Sequence, residues 1–409
     1  MGADVIHVES PWNRGGRTTD LEAARASALY PDNDPLGEHG HYWNRSGGFN
    51  KLARNKRGVA LNIADPEGKD VFSRLVGTAD VVLENFSPRV MPNLGFDFDA
   101  QAAIKPGIVY TQMPGYGSSG PGQNRVAFGP VIEAAVGLTH MMGYNGEDDI
   151  PMRTGIAWPD PVAGMCGTAG TLVGLWQRAV SGEAQHVETA MIESFSLFVG
   201  EELVAAQLRG ENRERFGNRQ PHSHIQGVYP CAGTDRWVAI AAETDDDWAM
   251  LCDVAGIGDE IRGLNLQARL ARHDDVDEAI SRWTSARGAR ECMLKLQAAG
   301  VIAGQLNDGR DLVEDPHLIA RDFWAELEHP DVGLTRSPGN PIRFSDTPVT
   351  FRKAAPELGE DNEAVLAEVG FSAAEIAELT AAGVVAREPP ERSGGARAGP
   401  LEEGTSCQE

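Results

Sequence analysis

The sequence predicts an α/β protein with a mostly parallel sheet and a smaller α+β domain. Three observations predict it. Buried-strand and helix patterns alternate regularly through the first two hundred residues, the order of βαβ units. Near residue 215 the pattern changes to a hairpin followed by helices. The length, 409 residues, exceeds what one hydrophobic core usually serves.

In chain order, Val5-Ile6-His7-Val8 reads as a short buried strand. Asp65-Pro66-Glu67-Gly68 opens a helix, with Asp65 as N-cap and Pro66 at the first helical position, and Val71, Phe72 and Leu75 continue its apolar spacing. Segments 79–83 and 107–113 are strands. A long helix is expected from about Pro161 to Val180, interrupted by Gly164, Gly167, Gly170 and Gly174. Each glycine weakens a helix by roughly 1 kcal/mol relative to alanine, so close packing against neighbours is expected in return. A second helix is expected over Val187 to Leu208. Residues 227–231 and 237–241 form a hairpin, and helices follow, one capped by Thr244 and one over 289–299. Beyond Asp315-Pro316 come short strands, then helices over Asn362–Val369 and Ser372–Ala381. The last residues, from Arg387, are rich in Gly, Pro, Glu and Arg and read as a disordered tail.

Composition narrows the function. Hydrophobic residues make up 41% and charged residues 23%, an ordinary globular balance, and no stretch approaches the roughly 20 apolar residues of a membrane span. The N-terminus has no basic segment leading into an apolar one, so no signal peptide is expected. Five scattered cysteines, none in a CxxC pair, predict reduced thiols in a cytoplasmic protein, with no disulfide framework and no metal site. A formal charge of −24 argues against nucleic acid as a partner. An anionic ligand would need a local basic pocket, for which 51–57 (Lys-Leu-Ala-Arg-Asn-Lys-Arg) is the densest positive run. The same run also reads as a solvated basic loop.

Three motifs bear on chemistry. Gly115-Tyr116-Gly117-Ser118-Ser119-Gly120 matches GxGxxG after a strand, but a dinucleotide fingerprint needs a helix to begin inside it, and Pro121-Gly122 follows instead. A glycine-rich loop is expected. His222 and His224 form an HxH pair with no acidic or cysteine partner nearby, and read as solvated loop histidines. Asp160, between Pro159 and Pro161 before the long helix, reads as an N-cap. That placement also suits a carboxylate nucleophile, because the helix dipole favours its ionised form.

Taken in order, several segments resemble the family III CoA-transferases, the group that includes formyl-CoA and carnitine CoA-transferases and α-methylacyl-CoA racemases. They are 2–11, 55–62, Glu84-Asn85-Phe86-Ser87-Pro88, Gly115-Tyr116-Gly117 with Gly120-Pro121, Asp160 with Gly164, 182–188, 227–230, 300–304 and 315–317. The resemblance implies CoA transfer from an acyl-CoA donor to a carboxylic acid acceptor, with Asp160 as nucleophile and no tightly bound cofactor, metal or redox group. It assigns CoA contacts to Asn85, Phe86 and Ser87, to Leu61, Asn62, Ile63 and Ala64, and to Arg125, Val126, Ala127 and Phe128. A family arginine falls at Asn93, with Arg89 one turn away, and a basic residue expected near Ser10 is replaced by Arg14 or Arg17.

The implied architecture is a Rossmann-like CoA-binding domain over 1–195, a linker over 196–225, a small α+β domain over 226–315, and a return segment over 316–385 completing the large domain. The tail covers 386–409. The family's interlocked homodimer is expected. The resemblance also places a strand and a helix ahead of Gly2, with Met1 where that helix ends. Two differences separate branches of the family. The histidine that serves racemases falls at Phe128, which favours transfer over isomerisation, and the tetraglycine loop of the formyl-CoA branch is absent around Gly217-Asn218-Arg219. The rival readings are a 2-methylacyl-CoA isomerase and a non-catalytic subunit or fragment. Succinyl-CoA with a mid-sized carboxylate is the expected substrate pair.

Overall fold

A computed structural model describes residues 2–10, 41–144, 150–220 and 222–389. Among the described residues ten strands form: β1 (Ile6–Glu9), β2 (Arg57–Ala60), β3 (Val81–Glu84), β4 (Val109–Gln112), β5 (Gln185–Glu188), β6 (Ile225–Pro230), β7 (Trp237–Ala242), β8 (Ile302–Gln305), β9 (Trp324–His329) and β10 (Gly333–Pro338). The helices used below are α1 (Pro66–Thr78), α2 (Val90–Leu94), α3 (Gly129–Ala135), α4 (Pro159–Ser181), α5 (Met191–Ser196), α6 (Gly200–Arg209), α7 (Asp245–Ala255), α8 (His273–Thr284), α9 (Ala289–Ala298), α10 (Asn362–Glu368) and α11 (Ala373–Ala381). The fold is mixed α/β, with parallel and antiparallel sheets. Among the described residues no helix is long and apolar enough to cross a membrane.

Local signals explain several helix starts. Asp65 accepts the Glu67 N–H at 2.9 Å, with Pro66 first in α1. Thr244 and Asp247 close a reciprocal capping box on α7, and Ser372 with Glu375 does the same on α11. Each pairing satisfies two backbone donors that a bare helix end leaves open.

The chain divides into two compact units. The first comprises residues 1–80, 94–106 and 316–409. Within it β1 and β2 pair in parallel, β9 and β10 pair antiparallel, and the C-terminal segment returns to β2. Asn362 fastens that return: its Oδ1 accepts the Ala60 N–H at 3.0 Å and its Nδ2 donates to the Ala386 carbonyl at 2.9 Å. The tail from residue 390 lies outside the described residues, as do Arg14 and Arg17.

The second unit comprises 81–93 and 107–315. It holds the parallel sheet β3-β4-β5 and the antiparallel sheet β6-β7-β8. Trp248, Leu251, Ile280 and Leu296 of the helices pack on Ile225, Val238 and Ile240 of the second sheet. The long helix α4 lies on the first sheet, and its glycines make the approach possible. A Cβ at Gly167 would fall 2.4 Å from Met113 Sδ, at Gly170 2.8 Å from Val187, and at Gly174 3.0 Å from Val109. Gly164 has open space instead.

Two sequence expectations are corrected here. The segment expected as one helix from Val187 to Leu208 begins as strand β5, which pairs with β4 from Gln185 to Glu188, and only then enters α5, a 3-10 turn and α6. Val187 is drawn into the sheet by the space that Gly170 and Gly174 leave, a non-local gain that overrides helical spacing. The start of α4 also differs. Trp158 is the N-cap, Pro159 and Asp160 are the first two helical residues, and Asp160 caps nothing. A residue before proline is usually excluded from helical geometry. Here Trp158 and Asp160 both precede prolines within the first turn, where a missing proline N–H costs nothing.

Candidate active site

Asp160 stands in the first turn of α4 with its backbone anchored and its side chain open. Pro159, Val162 and Ala163 around it are buried, and the last two join a core with Ile132 of α3 and Met191 and Phe195 of α5. The carboxylate itself is exposed. Its pKa lies above the ordinary carboxylate value because neighbouring protein partly desolvates it. A carboxylate poorly solvated by water is a better nucleophile, and one not tied up in a salt bridge keeps its lone pairs for attack.

The start of α3 lies beside that carboxylate. A Cβ on Gly129 would sit 2.5 Å from the Ala157 Cβ and 2.6 Å from Asp160 Oδ1, so only glycine fits there. One turn further, Glu133 is 1% exposed, and both its oxygens bind Thr154. Oε1 accepts the Thr154 N–H at 2.8 Å and Oε2 lies 3.0 Å from the Thr154 hydroxyl. Neither Gly129 nor Glu133 was singled out from sequence. Their roles depend on contacts across more than twenty residues, and no local pattern signals them.

The other sequence-predicted residues of this unit fall into three groups. Asn85, Phe86 and Ser87 follow β3. Asn85 Nδ2 donates to the Met113 carbonyl and lies 3.6 Å from Met191 Sδ, so Asn85 ties the ends of β4 and α5 together. Phe86 is 50% exposed, and its N–H donates to Glu84, whose other oxygen takes the Tyr110 hydroxyl at 2.9 Å. Glu84, raised in pKa by burial, thus shapes this turn, and the sequence reading passed over it. Arg89 and Asn93 are both exposed and lie one turn apart at α2, where the Asn93 N–H donates to the Arg89 carbonyl at 3.0 Å.

Arg125 to Phe128 lead directly into α3. Arg125 lies over the Tyr116 ring at 5.6 Å, Val126 is 60% exposed, and Ala127 packs so closely on Gly115 that a Cβ there would fall 2.1 Å away. Phe128 is the N-cap residue of α3, immediately before Gly129. The glycine-rich loop 115–120 starts no helix, as expected, and Ser118 is held by the Glu188 carboxylate.

Leu61, Asn62, Ile63 and Ala64 belong to the first unit. Leu61 is fully buried and bridges to Val385, and Asn62 Oδ1 accepts the Ala64 N–H at 3.3 Å. The basic run is partly spent inside the same unit. Arg57 pairs with Asp4 and Glu368, each at 2.7 Å, and Arg54 stacks on Phe351 at 4.4 Å. His224 meets Ser223 and Gln226 rather than a metal-ligand partner. Among the described residues the group with metal-ligand spacing is His41, Asp331 and Glu357, and Asp331 already accepts the Asn44 amide at 2.6 Å.

With this geometry in place, comparison with known proteins becomes decisive. The family model described as CoA-transferase family III matches residues 1–362. This chain belongs to that family. It is an enzyme that transfers CoA. The chain is similar to the succinyl-CoA–D-citramalate CoA-transferase of Chloroflexus aurantiacus, at 30% identity over 94% of this chain and 92% of the relative. It is likewise 30% identical to the succinate–glutarate CoA-transferase of Agrobacterium fabrum, over 90% and 89%. The formyl-CoA:oxalate CoA-transferase of Streptomyces avermitilis matches at 29%, over 94% and 93%. Among solved structures, a CAIB/BAIF family protein from Brucella suis superposes with a TM-score of 0.76 at 26% identity, over 90% of this chain and 92% of that one.

Proposed function

We propose that this CoA-transferase works through covalent catalysis by Asp160. The ionised carboxylate attacks the thioester carbonyl of the acyl-CoA donor, forming a mixed anhydride and releasing CoA thiolate. The thiolate then attacks the aspartyl carbonyl, giving an aspartyl-CoA thioester and the free donor acid. The acceptor carboxylate attacks that thioester, and the sequence runs in reverse to the new acyl-CoA. Bonds and charges balance at each step without a metal or redox group. The observation that carries this reading is the state of Asp160 itself: backbone fixed by buried neighbours, carboxylate exposed, desolvated enough to raise its pKa.

Asn85, Phe86, Ser87, Arg89, Asn93 and Arg125–Phe128 are the CoA contacts of the second unit on this reading. The exposed guanidinium groups of Arg89 and Arg125 suit the phosphates. Phe128 supports transfer over racemisation, since a phenyl ring exchanges no proton and racemisation at the α-carbon needs a second acid–base group. A dicarboxylic acyl donor such as succinyl-CoA, with a mid-sized carboxylate acceptor, is supported by the names of two relatives. The working form is a homodimer in a reduced, cytoplasmic setting, with a Rossmann-like large domain built from 1–195 and 316–385. Helix α4 supports the dimer. Met165, Leu172, Val173, Trp176 and Val180 are each more than half exposed, and their spacing makes one apolar stripe that a lone chain leaves in water.

The test is a transfer assay with succinyl-CoA and a panel of carboxylic acids, run beside Asp160→Ala. New acyl-CoA from the wild type and none from the variant supports the reading. Equal transfer by both overturns it.

A further inference from the structure

We propose that Glu133 is a positioning residue for the nucleophile, acting by holding the 154–157 loop that carries the chain into Asp160. The inference rests on the reading of Asp160 as the attacking group.

Glu133 is buried, and α3 brings it to a loop that lies 21 residues away in sequence. Its carboxylate grips Thr154 twice, through the backbone N–H at 2.8 Å and toward the hydroxyl at 3.0 Å. The same hydroxyl lies 2.5 Å from the Ile156 carbonyl, so its single proton goes to one of these two acceptors at a time and ties the loop to Glu133 or back on itself. Just beyond, the Trp158 N–H donates to Ile156 and the Asp160 N–H to Ala157, at 2.9 and 3.2 Å. Hydrogen bonds therefore run from Glu133 through Thr154 into the loop, and two backbone turns of that loop, closed at Ile156 and Ala157, lead into Asp160. At the other end of the same short helix, Gly129 leaves no room for a side chain: a Cβ there would fall 2.5 Å from the Ala157 Cβ and 2.6 Å from Asp160 Oδ1. Helix α3 thus meets the nucleophile at two points, a contact at Gly129 and a clamp at Glu133. Together they fix where the carboxylate lies.

Fold alone does not call for this arrangement. Burying a carboxylate costs desolvation free energy, and an apolar side chain at this buried position would avoid that cost. What the carboxylate provides is two directed acceptors on one loop residue. That matters where misplacing an attacking atom by about an ångström costs on the order of a hundredfold in rate.

The experiment uses the full-length enzyme with an acyl-CoA that the wild type accepts. Rapid quench into hydroxylamine follows the aspartyl adduct, and its burst amplitude counts the competent sites. Glu133→Ala is expected to slow adduct formation per competent site by roughly 10- to 100-fold, with KM for acyl-CoA changed by less than about threefold. Glu133→Gln should recover most of the rate, because its amide oxygen still accepts the Thr154 N–H and its NH2 can donate to the hydroxyl. If Glu133→Ala folds poorly, Thr154→Val removes the hydroxyl without removing bulk and should slow the same step by roughly 3- to 10-fold. Normal per-site rates in the variants, with only the count of competent sites reduced, would overturn the positioning role. A wild type that forms no adduct would instead overturn the reading of Asp160 beneath it.

Discussion

Replacing Gly129 by alanine tests the fit between α3 and the nucleophile. The added Cβ would lie 2.6 Å from Asp160 Oδ1 and 2.5 Å from the Ala157 Cβ, whereas ordinary contact begins near 3.4 Å. Relief requires a relative shift of roughly 0.8 Å, and the exposed carboxylate is freer to move than the buried helix backbone. Gly129 has no left-handed backbone to strain, so the effect is steric. Overpacking costs about 1–3 kcal/mol, and alanine returns up to about 1 kcal/mol of that through lower unfolded-state entropy. Stability should therefore fall only modestly. The rate of adduct formation should fall roughly 10- to 100-fold, because a displaced carboxylate approaches the thioester along the wrong line. Paired thermal melts and rapid-quench kinetics measure the two effects separately. A variant that melts slightly lower yet forms adduct at the wild-type rate would refute the claim that Gly129 helps set the carboxylate's position.

Four further outcomes follow. Because burial raises the Asp160 pKa and the ionised form attacks, the first half-reaction should lose rate on acidification at a pH above the ordinary carboxylate range, as single-turnover pH profiles would show. For stability the sign is opposite: the folded state holds that proton more tightly than the unfolded one, so this contribution favours folding at low pH and is lost as pH rises through the raised pKa. Asp160→Asn should abolish adduct formation and melt at or above the wild type at neutral pH. Tyr229→Phe removes the hydroxyl that donates to Asp277 at 2.9 Å and should cost about 1 kcal/mol in denaturant titrations, with Asp277 still paired to Arg219. Trp176→Glu, in the middle of the apolar stripe of α4, should shift the protein from dimer to monomer by light scattering.

Legibility from sequence followed the range of the interaction. The caps of α1 and α7 were readable because Asp65 and Thr244 act within three residues of their partners. The β6–β7 hairpin was readable for the same reason. Strand β5 was not, since Gln185–Glu188 becomes a strand only by pairing with β4, more than seventy residues earlier. The boundary at Asp160 was not, because an Asp followed by Pro fits a cap and first helical position, whereas the helix starts two residues earlier after Trp158. Of the site, Asp160 was legible through its flanking motif. Gly129, Glu133 and Thr154 were not, for their meaning lies in who meets whom after folding. In the basic run 51–57 the sequence shows the density of charge but not that Arg57 and Arg54 are held by Asp4, Glu368 and Phe351, partners that only folding supplies.

The most direct measurement is peptide mapping of the enzyme quenched with hydroxylamine during turnover with succinyl-CoA and with other acyl-CoA donors. A hydroxamate on Asp160, absent from the Asp160→Ala variant and dependent on acyl-CoA, is the expected result. Sustained CoA transfer by an enzyme that carries no modification at Asp160 under any donor would contradict the account.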